Sequence, residues 1–273
     1  MRKDAPTVAH PFDTDTAIED LGGGRFGAVM SERWWVGRGP NGGYVAAVIL
    51  RAILATAGTE RAPRSLTVHF PSAPEAGAVE IAVSLDREGR SASFVSARMT
   101  QDGQLRASAL AMLGADREGP EFSELEMPSA ELSAELYSPD PATVEGMPPL
   151  LGNYSFSLAI GEPVFSGEEA RSGAWLRTRE PRELDAPLAA AMLDAWFPAP
   201  FVRLRAPALA PTIDYTVHFR SPLPPPGASP EDAHLLAFRS GLARGGFFEE
   251  DGELWSQDGN LLAHSRQLAL LLS

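Results

Sequence analysis

Pro211-Thr212-Ile213-Asp214-Tyr215-Thr216-Val217-His218-Phe219-Arg220-Ser221-Pro222 reads as a β-strand bounded by prolines, and part of it is written twice in this chain. Thr67-Val68-His69-Phe70 repeats Thr216-Val217-His218-Phe219, and Gln101-Asp102-Gly103-Gln104-Leu105 is answered by Gln257-Asp258-Gly259-Asn260-Leu261. Self-similarity in order and spacing marks a duplicated unit. The copies differ in chemistry: aligned on these motifs, Asp214 faces Ser65 and Gln267 faces Ala111. Polar groups capable of chemistry stand only in the second copy.

Working outward, each copy contains one apolar helix followed by a meander of strands. Tyr44 to Leu54 is apolar nearly all round, which predicts a helix buried on most of its surface, stopped at Gly58. Strands are expected at Ser65–Phe70, Val79–Leu85, Ser91–Met99 and Leu105–Leu113. In the second copy, strands at Tyr154–Ile160 and Arg171–Arg177 precede a helix over Leu188–Phe197. Asp185 is its N-cap, Pro187 lies in its first turn, and Pro198 and Pro200 end it. Thr212–Arg220, His234–Arg239, Gly246–Ser256 and Leu261–Leu272 complete a second meander. The expected fold class is α+β, each unit a curved antiparallel sheet wrapped around a helix. The expected division is 12–115, an acidic linker at 116–149, and 150–273. Neither apolar helix can be left in water, so the units are expected to join their sheets edge to edge and cover both helices. Residues 1–11 lack periodicity and read as a loose arm.

The chain has 273 residues, 44% of them hydrophobic and 22% charged, in the range of a globular protein. No apolar run approaches the ~18 to 20 residues of a membrane-spanning helix. The start, Met1-Arg2-Lys3-Asp4-Ala5-Pro6, has no apolar leader core, so a cytoplasmic location is expected. A formal net charge of −13 argues against nucleic-acid binding, which needs a basic footprint. Nine acidic residues and one arginine fall between Asp116 and Glu145, which predicts a partly disordered linker. The absence of cysteine removes thiolate chemistry. No histidine and carboxylate spacing suits a metal, and no Gly-x-Ser-x-Gly elbow offers a serine nucleophile.

Several residues invite a chemical reading. Asp214 is a poor strand residue without a partner, and alternation puts Asp214, Thr216 and His218 on one face. If that face meets the helix, the carboxylate is buried and its pKa is tunable; otherwise Asp214 is a solvated or structural group. Gln267 interrupts an apolar strand with an amide that needs partners if buried. Asn41-Gly42-Gly43 opens the first helix with backbone N–H groups at the positive end of its dipole, which suits an oxyanion. His69 and His218 belong to the repeated motif and so read as architectural. Asp194, in the second helix, is the alternative carboxylate. Trp34, Trp35, Trp175 and Trp196 read as core aromatics.

Helix then meander, twice, with Gly39-Pro40-Asn41-Gly42-Gly43-Tyr44 before the first helix, Thr212-Ile213-Asp214 opening a strand and Ser265-Arg266-Gln267 on the last, resembles the double-hotdog type II (TesB-like) acyl-CoA thioesterases. The resemblance covers most of residues 12 to 273. It implies hydrolysis of acyl-CoA by an activated water, held by an aspartate, a glutamine and a threonine, with no cofactor. Asp214 and Gln267 match the first two positions. No threonine lies between His234 and Gly252, and Ser240 is the nearest hydroxyl there. Asn41, Gly42 and Gly43 would meet the substrate. Acyl-CoA is the implied partner, a homodimer of such chains is a further one, and a subset of Arg203, Arg205, Arg220, Arg239 and Arg244 would meet the CoA phosphates. Two rival readings are a non-catalytic acyl-CoA or lipid-binding protein and an enoyl-CoA hydratase.

Overall fold

The computed structural model describes residues 9–58 and 61–272, so most of the expected N-terminal arm lies outside the described residues. The first half contains α1 (Pro11–Asp15), β1 (Glu19–Gly22), β2 (Arg25–Met30), β3 (Trp35–Val36), β4 (Gly39–Pro40) and α2 (Gly42–Ala57). It continues with β5 (Ala62–His69), β6 (Gly77–Glu88), β7 (Ala92–Gln101) and β8 (Gln104–Gly114). The second half contains β9 (Tyr154–Gly161), β10 (Arg171–Thr178), α3 (Ala186–Met192) and β11 (Thr212–Phe219). It ends with β12 (His234–Arg239), β13 (Ala243–Arg244), β14 (Phe247–Trp255) and β15 (Leu261–Leu270).

One sheet runs β1-β2-β6-β7-β8-β5-β11-β15-β14-β12-β10-β9, with β13 paired to β14. The two units therefore meet edge to edge at β5 and β11. The repeated motif pairs with itself there: Thr67 stands opposite Thr216, Val68 opposite Tyr215 and Leu66 opposite Val217, in antiparallel register. The Thr67 and Thr216 hydroxyls bond at 3.0 Å. Two similar edge strands of one chain have thus satisfied each other's unpaired backbone groups. This is why the same tetrapeptide occurs twice.

Asn41 caps α2, its Oδ1 accepting the Tyr44 N–H at 3.0 Å, and Gly58 ends the helix at φ +79°, a left-handed conformation that suits glycine. Residues on every side of α2 are buried, from Val45 and Val48 to Ile49, Leu50 and Ile53. Each such aliphatic side chain contributes on the order of 1.5–3 kcal/mol by leaving water. Asp185 caps α3 through the Leu188 N–H, as its sequence indicates. The helix stops at Met192, five residues before the expected end at Phe197. The Asp194 and Ala195 N–H groups bond three residues back rather than four, and the prolines at 198 and 200 bar a return to helix.

The two helices lie side by side in opposite directions. The start of α2, at Gly43, meets the end of α3 at Ala190, Ala191 and Asp194. At the opposite end, Arg51 of α2 approaches Asp185 to 3.9 Å. That end is closed by α1, an element without a sequence signal of its own. Arg182 pairs with Asp13 and Asp185 at 2.7 and 2.6 Å, and both Arg51 and Arg182 lie over the ring of Phe12.

Residues 116–149 hold no α-helix or extended strand, but they are not detached. Met127, Ala130 and Leu136 pack with Trp175 and Trp255 on the outer face of the second unit, and Trp175 Nε1 donates to the Ala130 carbonyl at 3.3 Å. A few apolar residues in a highly charged stretch suffice to lay it on the sheet. No helix among the described residues is long and apolar enough to cross a membrane.

Candidate functional site

The site forms where α2 begins and α3 ends. Asn41 Nδ2 donates to Asp194 twice, to its backbone carbonyl at 2.6 Å and to Oδ2 at 2.8 Å, and the Gly43 N–H donates to the same Oδ2 at 2.8 Å. The glycines make this approach sterically feasible. A Cβ on Gly43 would stand 2.8 Å from Asp194 Cβ and 2.9 Å from each of the Ala190 and Ala191 carbonyl oxygens. A Cβ on Gly42 would stand 3.1 Å from Asp194 Oδ2. The carboxylate thus sits at the positive end of the α2 dipole. Loss of hydration nonetheless pushes its pKa up to about 6, against the opposing pull of donors on Gly43, Asn41, Gln267 and Gly42.

The second wall is the inner face of β11, β15 and β14. Opposite residues in an antiparallel sheet point to one face, so Tyr215, Gln267 and Glu250 form a single row across these strands. Tyr215 donates its hydroxyl to the Ala190 carbonyl at 2.8 Å, tying the sheet to α3. Gln267, 6% exposed, donates from Nε2 to Glu250 Oε1 at 2.8 Å, and its Oε1 accepts the Thr212 hydroxyl at 2.8 Å. Thr212 reaches this face because the β11–β15 register shifts between Thr212 and Asp214. The extra residue at this bulge lets Thr212 and Tyr215, three apart, both point inward. Tyr154, fully buried, has no hydrogen-bond partner for its hydroxyl among the described residues, and burial with the nearby Asp194 charge raises its pKa well above the ordinary value.

The structure brings together Asn41, Gly42, Gly43 and Gln267, but neither Asp214 nor Ser240 joins them. Asp214 stands opposite Leu268 and His69, on the other face of the sheet from Gln267, with Thr216 and His218. The polar face of the deciding strand points away from the helices, and Tyr215, Val217 and Phe219 fill the core. Ser240 follows β12, three strands from β11, a span of about 14 Å at ~4.8 Å per strand. Its N–H bonds the Ala170 carbonyl, and the next residues, Gly241 and Leu242, are held by Glu249. The carboxylate at the site is Asp194, and the hydroxyl is Thr212. Thr212 carried a signal: it lies two residues before Asp214, and only the bulge hid which of them faces inward. Glu250 went unnoticed among three consecutive acidic positions, Glu249 to Asp251.

Of the arginines, Arg203 and Arg205 follow the 3-10 turn Ala199–Val202 that borders the site, while Arg239 shares Asp251 with Arg266 on the outer face. His218 and His264 bond each other on that same outer face at 3.2 Å.

A duplicated antiparallel sheet wrapping two antiparallel helices, with its polar cluster at one junction of the helices, is a double-hotdog fold. The family model for the acyl-CoA thioesterase C-terminal domain matches residues 120–271, and that for the N-terminal domain matches residues 31–114. The chain belongs to the acyl-CoA thioesterase family. It is 30% identical to a conserved hot dog fold protein of unknown function from Alicyclobacillus acidocaldarius, with a TM-score of 0.85 over 97% of this chain and 99% of that one. An acyl-CoA thioesterase II from Mycobacterium marinum shares the fold at 21% identity and a TM-score of 0.75, over 95% of this chain and 97% of that one. An uncharacterized protein of Mycobacterium tuberculosis is 26% identical over 274 residues, covering 90% of each chain.

Proposed function

We propose that this protein hydrolyses acyl-CoA thioesters by direct attack of water, with Asp194 rather than Asp214 as the general base. The observation that carries the reading is the Asp194 carboxylate, fixed by Asn41 and the Gly43 N–H beside the Thr212–Gln267 pair, with a pKa pushed up to about 6. A base is most effective when its pKa lies near the working pH.

In this mechanism Asp194 takes a proton from a water held with Thr212 and Gln267, and the water oxygen attacks the thioester carbonyl. Charge gathers on the carbonyl oxygen, where the second N–H of Gln267 and the α2 dipole stabilise it. The intermediate collapses, the carbon–sulfur bond breaks, and the CoA thiolate leaves and recovers the proton from Asp194. No covalent enzyme intermediate is needed. Asn41 and Gly43 hold the base rather than the substrate. The hydratase reading wants a histidine beside the helix carboxylate, and the donors that meet Asp194 are those of Asn41, Gly43, Gln267 and Gly42.

The test is a thiol-release assay over a panel of acyl-CoA chain lengths, with enoyl-CoA hydration followed in parallel. Thiol release that disappears in Asp194→Asn is expected. Binding of acyl-CoA without turnover would favour the non-catalytic reading, and hydration without thiol release the hydratase.

A further inference from the structure

Core-facing residues of β14 are Phe248, Glu250, Gly252 and Leu254, so Glu250 places a carboxyl in a row that is otherwise apolar or glycine. In the first copy the three cross-strand positions that match Tyr215, Gln267 and Glu250 are all apolar. There Ala111 stands between Leu66 on β5 and Val95 on β7, where the second copy sets Gln267 between Tyr215 and Glu250. The asymmetry between the copies therefore extends one strand beyond Gln267. A buried carboxyl is costly unless partnered, and Glu250, 3% exposed, has two donors: Gln267 Nε2 on Oε1 and the Ala199 N–H on Oε2.

We propose that Glu250 is a positioning residue of the hydrolytic site, which sets the orientation of the Gln267 amide by accepting its Nε2–H. The proposal rests on the reading of the site given above. An amide side chain has nearly the same shape when turned by 180°, so its partners alone decide which end faces which. The Thr212 hydroxyl can donate or accept and does not discriminate. A carboxylate only accepts, so an ionised Glu250 forces Nε2 toward itself and the Gln267 oxygen toward Thr212. The second N–H is then left facing the reacting atoms. A protonated Glu250 can donate to Oε1 instead, and the amide is free to turn over.

The proton on Glu250 is therefore coupled to the orientation of Gln267. Burial raises the Glu250 pKa to about 8, the Ala199 N–H and Gln267 oppose the rise, and the Asp194 and Asp251 charges add to it. From the other elements packed here, Tyr215 of β11 and Tyr154 of β9 face the same cluster, and burial keeps both phenols protonated. Ionisation of Glu250 locks the amide, so turnover gains a second upward step near pH 8, above the one belonging to Asp194.

The experiment is a double-mutant cycle of Glu250→Gln and Gln267→Ala, with kcat and KM measured for a saturated acyl-CoA across pH 5 to 9. Glutamine has one oxygen for the two N–H groups that Glu250 serves, so it cannot hold both. Expected are a roughly tenfold fall in kcat with KM within twofold, loss of the step near pH 8, and no more than a twofold further effect in the Gln267→Ala background. A kcat within twofold of the parent, or an equal loss in both backgrounds, overturns the proposal. Should circular dichroism show Glu250→Gln to be unfolded, Glu250→Met, which fills the space without accepting, replaces it with the same criteria. If Gln267→Ala alone leaves hydrolysis unchanged, the reading of the site fails along with the proposal. If Gln267→Ala is impaired while the Glu250 variants are not, the role of Glu250 alone is overturned.

Discussion

Asp194→Asn separates catalysis from stability. Asn41 Nδ2 and the Gly43 N–H both donate to Asp194 Oδ2, which the single oxygen of asparagine can replace, so the helix junction should hold. Turnover should fall by a factor on the order of 100 to 10,000, the usual cost of losing a positioned base. Stability should move the other way. Asp194 goes from an ordinary 3.8 to about 6 on folding, so the folded state keeps a proton that the unfolded chain has already lost. This lowers stability as pH rises from near 3.8 to near 6, and the deficit persists above, on the order of 3 kcal/mol at pH 7. Asparagine carries no such cost. The variant should melt several degrees higher than the parent at pH 7, with the difference vanishing below pH 4. Thioester absorbance followed from pH 5 to 8, with calorimetry on the same samples, measures both effects. In the parent, kcat/KM should fall about tenfold per pH unit below 6. A variant that keeps a third or more of its turnover, or an Asp214→Asn variant that loses activity instead, would refute the placement of the base.

Thr212→Val, which deletes the hydroxyl held by Gln267, should lower kcat about tenfold, and Thr212→Ser should restore most of it in the same assay. Gly43→Ala should force α2 and α3 apart, because its Cβ would lie under 3 Å from three atoms of the α3 end; a loss of about 1–3 kcal/mol in denaturant unfolding is expected, with activity reduced alongside. Arg182→Ala should destabilise the fold by about 1–3 kcal/mol and blunt its acid sensitivity. Burial raises the Asp13 pKa, but Arg182 and Arg51 outweigh it and hold Asp13 below 3.8, so that pair stabilises above about pH 4 and is lost as pH falls further. Urea unfolding of parent and variant at pH 3 and pH 7 checks this.

The repeat of Thr-Val-His-Phe was enough to read the duplication, and the apolar circumference of α2 was enough to read burial and edge-to-edge joining. Both are patterns of side-chain type, which sequence carries directly. The N-cap of α3 was legible for the same reason, since Asp185 acts within three residues of itself, whereas the cap made by Asn41 was not read as one. The site was only half legible. Gln267 stood out as an amide in an apolar strand, whereas Asp214 misled because alternation tells which residues share a face without telling which face is inside. A bulge then shifted the count, and Thr212 took the inner place. Asp194 drew its importance from Asn41 and Gly43, far away in the chain and joined to it only by the crossing of α2 and α3. The first strands and α1 were missed because Glu19–Gly22 is exposed along its length and α1 is five residues long.

The closure of the opposite helix junction by Phe12, Arg51, Arg182 and Asp185 bears on stoichiometry. In a homodimer of single units, every substitution appears at both symmetry-related sites, and a ring that plugs one plugs the other. Covalent duplication releases that constraint. One junction could be traded for a buried aromatic and its two guanidinium covers, and the other left polar, with both changes inherited on the same gene. An active-site titration of this protein should therefore count one site per chain, half the number that its two similar halves would lead one to expect.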